Sequence, residues 1–255
     1  MILRARIGFL LLVVLAMVLA ACATDDGGVE TQDVVSQIPW TAPEELRYRL
    51  TDDDGDRIGN AALSVEREGD AFALTQLFED DEGNRDDSTV IADAVALKPR
   101  TMRRQIIDEE QDRRVVAEAE YTKDEDGRDI VRITARNYSP ADDVEPDSER
   151  SNPLRVPEHS YDNHSSLFLW RTIPFEDGYT ASYTTVYSNS RETGVLTLHV
   201  RGQERVRTPA GEFDAWLLEI DDGNETQQAW YATTDDHRLL VYDNKNDQVL
   251  LYEGE

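Results

Sequence analysis

The chain of 255 residues carries 53 Asp and Glu against 26 Lys and Arg, a formal net charge of −27, and its lysines are only Lys98, Lys123 and Lys245. A balance this negative excludes nucleic acid as a partner, because phosphate binding needs a basic patch, and it excludes adhesion to anionic lipid through a polybasic face. A hydrophobic content of 39% is above that of a wholly disordered chain, and the length is enough to bury a core.

Arg4 and Arg6 form a short basic start, followed by an apolar run from Ile7 to Leu19 broken by Gly8. The run is too short to span a bilayer, which takes about 20 residues. It ends in Leu19-Ala20-Ala21-Cys22, which resembles the lipobox of bacterial lipoproteins. Residues 1–21 are therefore predicted to be a lipoprotein signal peptide, with Cys22 as the acylated first residue of the mature chain. An ordinary secretory signal cleaved near Ala21 is the alternative. Cys22 is also the sole cysteine, so the sequence offers no disulfide framework and no Cys-based metal site. Ala23 rather than Asp follows it. That permits the periplasmic face of the outer membrane in a diderm cell; in a monoderm the site would be the outer face of the plasma membrane.

Residues 22–43 are polar and aperiodic and are predicted to be a flexible tether. From Glu45 onward, period-two alternation recurs between Asp/Gly/Asn clusters, the pattern of antiparallel strands and hairpins. The expected strands are Leu46–Leu50, Ile58–Arg67, Ala71–Phe78, Thr89–Ala94, Thr101–Asp108, Arg113–Thr122 and Ile130–Arg136. Further on come Tyr179–Ser188, Gly194–Arg207, Glu212–Ile220, Gln228–Ala232, Leu239–Tyr242 and Gln248–Tyr252. Asp54-Gly55, Glu82-Gly83, Asp126-Gly127 and Asp222-Gly223 supply the turns. Between the two sets lies residues 137–157, an acidic stretch with Pro140, Pro146, Pro153 and Pro157, expected as an insertion loop. Ser160–Arg171 is expected as one short helix. The fold class that follows is mainly β: a strongly curved antiparallel sheet forming a half-open barrel, one domain over 44–255.

Alternation places Leu46, Tyr48 and Leu50 on one face, and Tyr179, Tyr183 and Tyr187 on another. Leu196, Leu198 and Val200 line up, as do Trp216, Leu218 and Ile220, with Trp230 on the next strand. Tyr48, Tyr183, Tyr187, Trp216 and Trp230 are the candidate wall of a cavity for an acyl chain or other hydrophobic ligand; plain sheet core is the competing reading.

Glu45-Leu46-Arg47-Tyr48, Ile58-Gly59 and Leu63-Ser64-Val65 resemble the opening of the bacterial Domain of Unknown Function 3108 family. The resemblance continues through Leu167-Phe168-Leu169-Trp170-Arg171, Thr208-Pro209-Ala210-Gly211-Glu212-Phe213 and Trp230-Tyr231-Ala232, over roughly Glu44 to Glu253. It implies a fold similar in outline to the half-barrel lipoprotein carriers of the periplasm, where a bent sheet and a helix enclose an apolar cavity. It carries no catalytic residues.

The dense acidic run Asp52-Asp53-Asp54-Gly55-Asp56 fails as an EF-hand loop: with Gly55 sixth, Leu50 stands first and Ala61 twelfth. Gly127 as sixth residue fails likewise, which leaves at most weak surface Ca²⁺ binding. His159 and His164 are five apart, a poor helical zinc pair. No Gly-x-Ser-x-Gly elbow and no Gly-rich phosphate loop occurs. The sequence thus points to no metal, no cofactor and no enzyme. It points to a lipid-anchored envelope protein that binds a hydrophobic ligand in a concave sheet, or alternatively a structural or assembly lipoprotein with an envelope protein partner. An envelope hydrolase built on His164, His199 or His237 is a third reading. The acid excess suggests adaptation to high salt.

Overall fold

A computed structural model of the chain describes residues 29–188, 190–246 and 248–255. The predicted signal peptide and Cys22 lie outside the described residues.

The described chain is mainly β. The first half runs β1 (Glu44–Thr51), β2 (Arg57–Glu68), β3 (Ala71–Asp80), β4 (Arg85–Asp93), β5 (Pro99–Asp108), β6 (Arg113–Lys123), β7 (Asp129–Tyr138) and β8 (Ser148–Arg155). The short β9 (Ser160–Asp162) leads into one helical stretch. That stretch is a 3-10 turn Asn163–Ser165, the helix α1 (Ser166–Leu169) and a second 3-10 turn Trp170–Thr172. The second half is β10 (Thr180–Tyr187), β11 (Glu192–Thr208), β12 (Gly211–Asp221), β13 (Thr226–Ala232), β14 (Leu239–Asp243) and β15 (Val249–Gly254).

All 15 strands belong to one sheet, ordered β8-β7-β6-β5-β4-β3-β2-β1-β15-β14-β13-β12-β11-β10-β9. Every pairing is antiparallel except β9 with β10. Two meanders thus meet where β1 pairs β15, Tyr48 opposite Tyr252 and Leu50 opposite Leu250. The sheet is open, and its two edges, β8 and β9, are consecutive in sequence. Laid flat, 15 strands spaced about 4.8 Å apart would separate those edges by roughly 65 Å. The connection between Arg155 and Ser160 spans at most about 18 Å. The sheet therefore has to roll until its edges approach. A bulge in β11 between Val200 and Gly202, where Gly202 adopts φ 111°, helps this longest strand bend.

Rolling buries one face of each strand. Gly59, Ala61, Leu63 and Val65 point inward from β2, with Asn60 exposed between them. Gly59 is required there: a Cβ would come within 2.3 Å of the Glu79 carbonyl oxygen. The helical stretch plugs the roll, with Leu167, Phe168, Leu169 and Trp170 all buried. It is pinned by polar contacts as well, Trp170 Nε1 donating to Tyr183 Oη at 2.9 Å and Tyr231 Oη donating to the Leu167 carbonyl at 3.1 Å.

Three expectations are corrected. The expected loop 137–157 contains β8, which pairs with β7 from Asn137–Ser148 to Ile130–Arg155. Its side chains are nearly all exposed, so it has no apolar face to announce it, and Pro153 is tolerated at a free edge. Ser160–Asp162 is strand rather than helix, fully buried beside β10. The tether expected over 22–43 is not free chain in its second half. Gln32 N donates to the Ser182 carbonyl at 2.8 Å, and Ser36 N and Gln37 N donate to the Thr172 carbonyl at 2.9 and 3.1 Å. Val34 and Trp40 are buried, Trp40 edge-on to Phe72 at 5.7 Å. This strap ties the chain to the plug.

Candidate functional site

One end of the roll, beside the plug, is a cavity of about 450 Å³. Its floor is apolar: Leu50, Leu167, Trp170, Leu196 and Leu250. Its wall is polar, because inward positions of β3, β4 and β5 carry Gln76, Ser88 and Arg104 rather than aliphatic residues. These three are directly opposed in register, Gln76 to Ser88 and Ser88 to Arg104, so they form one row across the sheet. Two residues back along β4, Asp86 receives Arg104 Nε at 2.8 Å and a second bond from Nη2. Asn163 and His164 hang over this row from the plug, Gln76 Nε2 donating to the His164 carbonyl. Tyr187 and Tyr242 face it from the other half of the sheet.

His164 is held by a fully buried carboxylate. Asp162 Oδ1 lies 3.0 Å from His164 Nδ1 and accepts the His164 backbone N–H at 2.9 Å. Asp162 Oδ2 accepts Tyr121 Oη at 2.6 Å. Burial first, and the Asp162 charge second, push the Tyr121 phenol well above its ordinary range, so it stays a donor. Ser188 Oγ is 3.5 Å from the same His164 Nδ1. A nucleophilic serine needs the ring nitrogen that the acid does not hold; here both groups sit on one nitrogen, and no relay is formed. His199 meets Thr180 Oγ1 at 3.1 Å on the exposed face. His237 stacks its edge on Phe175 at 4.6 Å, and His159 meets Asp33 at 3.0 Å. Among the described residues no cluster of three His, Cys, Asp or Glu could hold a metal ion. The Asp52–Asp56 run is a hairpin turn in which Asp52 Oδ1 accepts the Asp56 N–H at 2.8 Å. No helix among the described residues is long and apolar enough to cross a membrane.

Of the five aromatic residues expected to wall a cavity, Tyr187 alone lines this one. Tyr48 and Tyr183 are buried in packed core, Tyr48 Oη donating to the Leu239 carbonyl at 3.1 Å. Trp216 has the inward register, opposite Tyr231, but lies elsewhere in the roll, stacked on Phe175 at 6.4 Å. Trp230 faces out. On β13 the inward positions are Ala229 and Tyr231, both wholly buried, and Trp230 between them bonds Glu204 through Nε1. The expectation missed Gln76, Ser88, Arg104 and His164. A signal for Gln76 was present: it interrupts the inward series Phe72, Leu74, Phe78, a polar residue where the pattern asks for an apolar one.

A single rolled antiparallel sheet, plugged by one short helical stretch and open at a polar mouth, defines the class of protein. Residues 45–249 match the family described as Protein of unknown function (DUF3108), and the chain belongs to it. No curated protein matches the sequence. Among solved structures, a beta-barrel-like protein of the DUF1849 domain from Brucella abortus is similar at 13% identity, TM-score 0.49, over 82% of this chain and 95% of that one. A candidate lipoprotein from Parabacteroides distasonis is similar at 13% identity, TM-score 0.29, over 88% of this chain and 99% of that one. A candidate exported protein with YmcC-like fold from Bacteroides fragilis is similar at 11% identity, TM-score 0.27, over 88% and 99%.

Proposed function

We propose that this is an exported, lipid-anchored binding protein that takes a small ligand into the mouth of its rolled sheet. The cavity of about 450 Å³ carries the reading, since its size falls within the range of small-molecule sites. The cavity opens beside the plug, where the packed apolar core gives way to inward polar residues. The Cys22 anchor is supported by the lipobox. The strap's first fixed residue, Gln32, follows that cysteine closely enough to hold the domain within about 35 Å of an acylated residue. We read the protein as a binder rather than a hydrolase because Asp162 and Ser188 compete for one nitrogen of His164.

Two measurements test this. Cys22→Ala should abolish labelling by an alkyne fatty acid and release the protein from membranes; retained label would sink the anchor. Native mass spectrometry of the full chain should find a bound small molecule that Leu196→Trp, which fills the cavity floor, excludes. The bare polypeptide mass in each protein, with no adduct in either, would refute the ligand site.

A further inference from the structure

We infer that the ligand is a neutral, hydroxyl-rich molecule of the saccharide class, held at the corner made by Gln76, Ser88 and His164. This rests on the reading of the mouth as a binding site and replaces the hydrophobic ligand expected from the sequence with a polar one.

The corner has unfilled hydrogen-bonding capacity. Ser88 is 3% exposed, Gln76 7% and His164 8%, and all three line the cavity. Among the described residues the Ser88 hydroxyl has no hydrogen-bond partner. Gln76 spends its amide N–H on the His164 carbonyl and keeps its Oε1 free. His164 meets Asp162 through Nδ1, which leaves Nε2 for a ligand, as an acceptor in the neutral ring. Three polar groups with hydrogen-bonding capacity to spare on one wall of a cavity mark where a partner belongs.

The chemistry of those groups selects the partner. Two are acceptors and the third is a hydroxyl that either donates or accepts. An acyl chain would leave all three unsatisfied. A carboxylate or phosphate has only acceptors to offer two acceptors, and the charge it would need is spent, because Arg104 is already bidentate on Asp86. An ammonium ion would need a free carboxylate, and the two that line the cavity are engaged, Asp86 by Arg104 and Asp222 by the Asn224 and Glu225 N–H groups. Alcohols donate and accept without charge. The facing wall of Tyr187 and Tyr242, above the Trp170 floor, offers apolar ring faces to the C–H side of a sugar ring. Amides at the rim, Gln227, Asn244 and Gln248, extend the same neutral recognition outward.

The test uses the full chain in phosphatidylcholine nanodiscs, probed by saturation-transfer NMR and titration calorimetry. The probes are methyl glucoside, N-acetylglucosamine and maltose as neutral saccharides, hexanoate as an apolar anion and spermidine as a cation. Saturable binding of at least one saccharide is expected, weakened about tenfold by Ser88→Ala and lost in Leu196→Trp, with both variants keeping the wild-type unfolding temperature to within a few degrees. Should Leu196→Trp unfold, Tyr187→Ala, which removes a facing ring, provides the same reading. Binding of hexanoate or spermidine alone, blocked by the same variants, would overturn the saccharide inference and leave the cavity reading standing. Saccharide binding that ignores these substitutions would place the sugar elsewhere and overturn the inference. Failure of every probe to bind in the mouth would overturn both.

Discussion

Arg171 is 1% exposed and stands where the plug, β1 and the β13–β14 connection meet. Its Nη1 and Nη2 grip Glu44 at 2.5 and 3.1 Å. Nη2 also donates to the Asp236 carbonyl at 2.9 Å and Nε to the His237 carbonyl at 3.2 Å, while the guanidinium lies 5.2 Å from the Trp40 ring centre. Removing one partner of such a pair leaves a poorly solvated charge, so Arg171→Met should cost about 3–5 kcal/mol in urea unfolding. Arg171→Met with Glu44→Gln should recover a good part of that loss; no recovery would mean the carbonyl bonds dominate. Nearby, burial pushes the His237 imidazole below its ordinary value, against the opposing pull of Asp236. The unfolded chain takes up a proton near 6.5 and the folded one only at lower pH. His237 therefore stabilises the fold above that value and loses the contribution as pH falls through it. His237→Asn, which tolerates the local φ of 41°, should flatten the pH dependence of stability between about pH 7.5 and pH 5. An unchanged slope would contradict the assignment. Asp236 adds loss at lower pH: burial would raise its carboxyl, but bonds from Thr234 and Arg238 outweigh that and hold it below its ordinary value.

At the scale of elements, the strap ties the start of the domain to the plug and to β10. Trp40 is 6% exposed, and Trp40→Ala should destabilise the domain by about 3 kcal/mol, measured by chemical denaturation. Removal through Pro43 should lower stability markedly; a stability equal to that of the full chain would return the strap to the status of a tether. Why the strap, β8 and the polar wall escaped the sequence reading has one physical basis. Alternation reports a strand that buries one face and exposes the other, as β2 does with Ala61, Leu63 and Val65 inward. The strap buries isolated anchors, Val34 and Trp40, and β8 buries almost nothing, holding to β7 by backbone bonds and exposed polar pairs such as Arg136–Glu149. The site is made of inward polar residues, which an apolar search passes over. Trp230 was misplaced because its face depends on the register of β13 against β12, which a lone tryptophan does not reveal. The Asp-Gly turns were legible because they need positive φ, as Gly55, Gly127 and Gly223 show at 84°, 79° and 87°.

At the scale of the whole molecule, the charge of −27 works against compactness in dilute buffer. Exposed pairs such as Arg57–Asp81 and Arg100–Asp70 return little each. Screening should therefore win, and the melting temperature should rise between about 10 mM and about 1 M NaCl; a flat or falling curve would show the ion pairs to be the stronger term. The pairing of β1 with β15 reaches further than stability. Arg49 bonds Glu253 across 204 positions of chain, at the very centre of the sheet. The hairpins of β2 to β7 can zip locally, but the two meanders have no common interior until β15 has been synthesised. Contacts this distant in sequence form late and slowly. A nascent chain threaded across a membrane from its N-terminus would thus remain unclosed while most of it is in transit, and the roll would snap shut, mouth included, only on the far side.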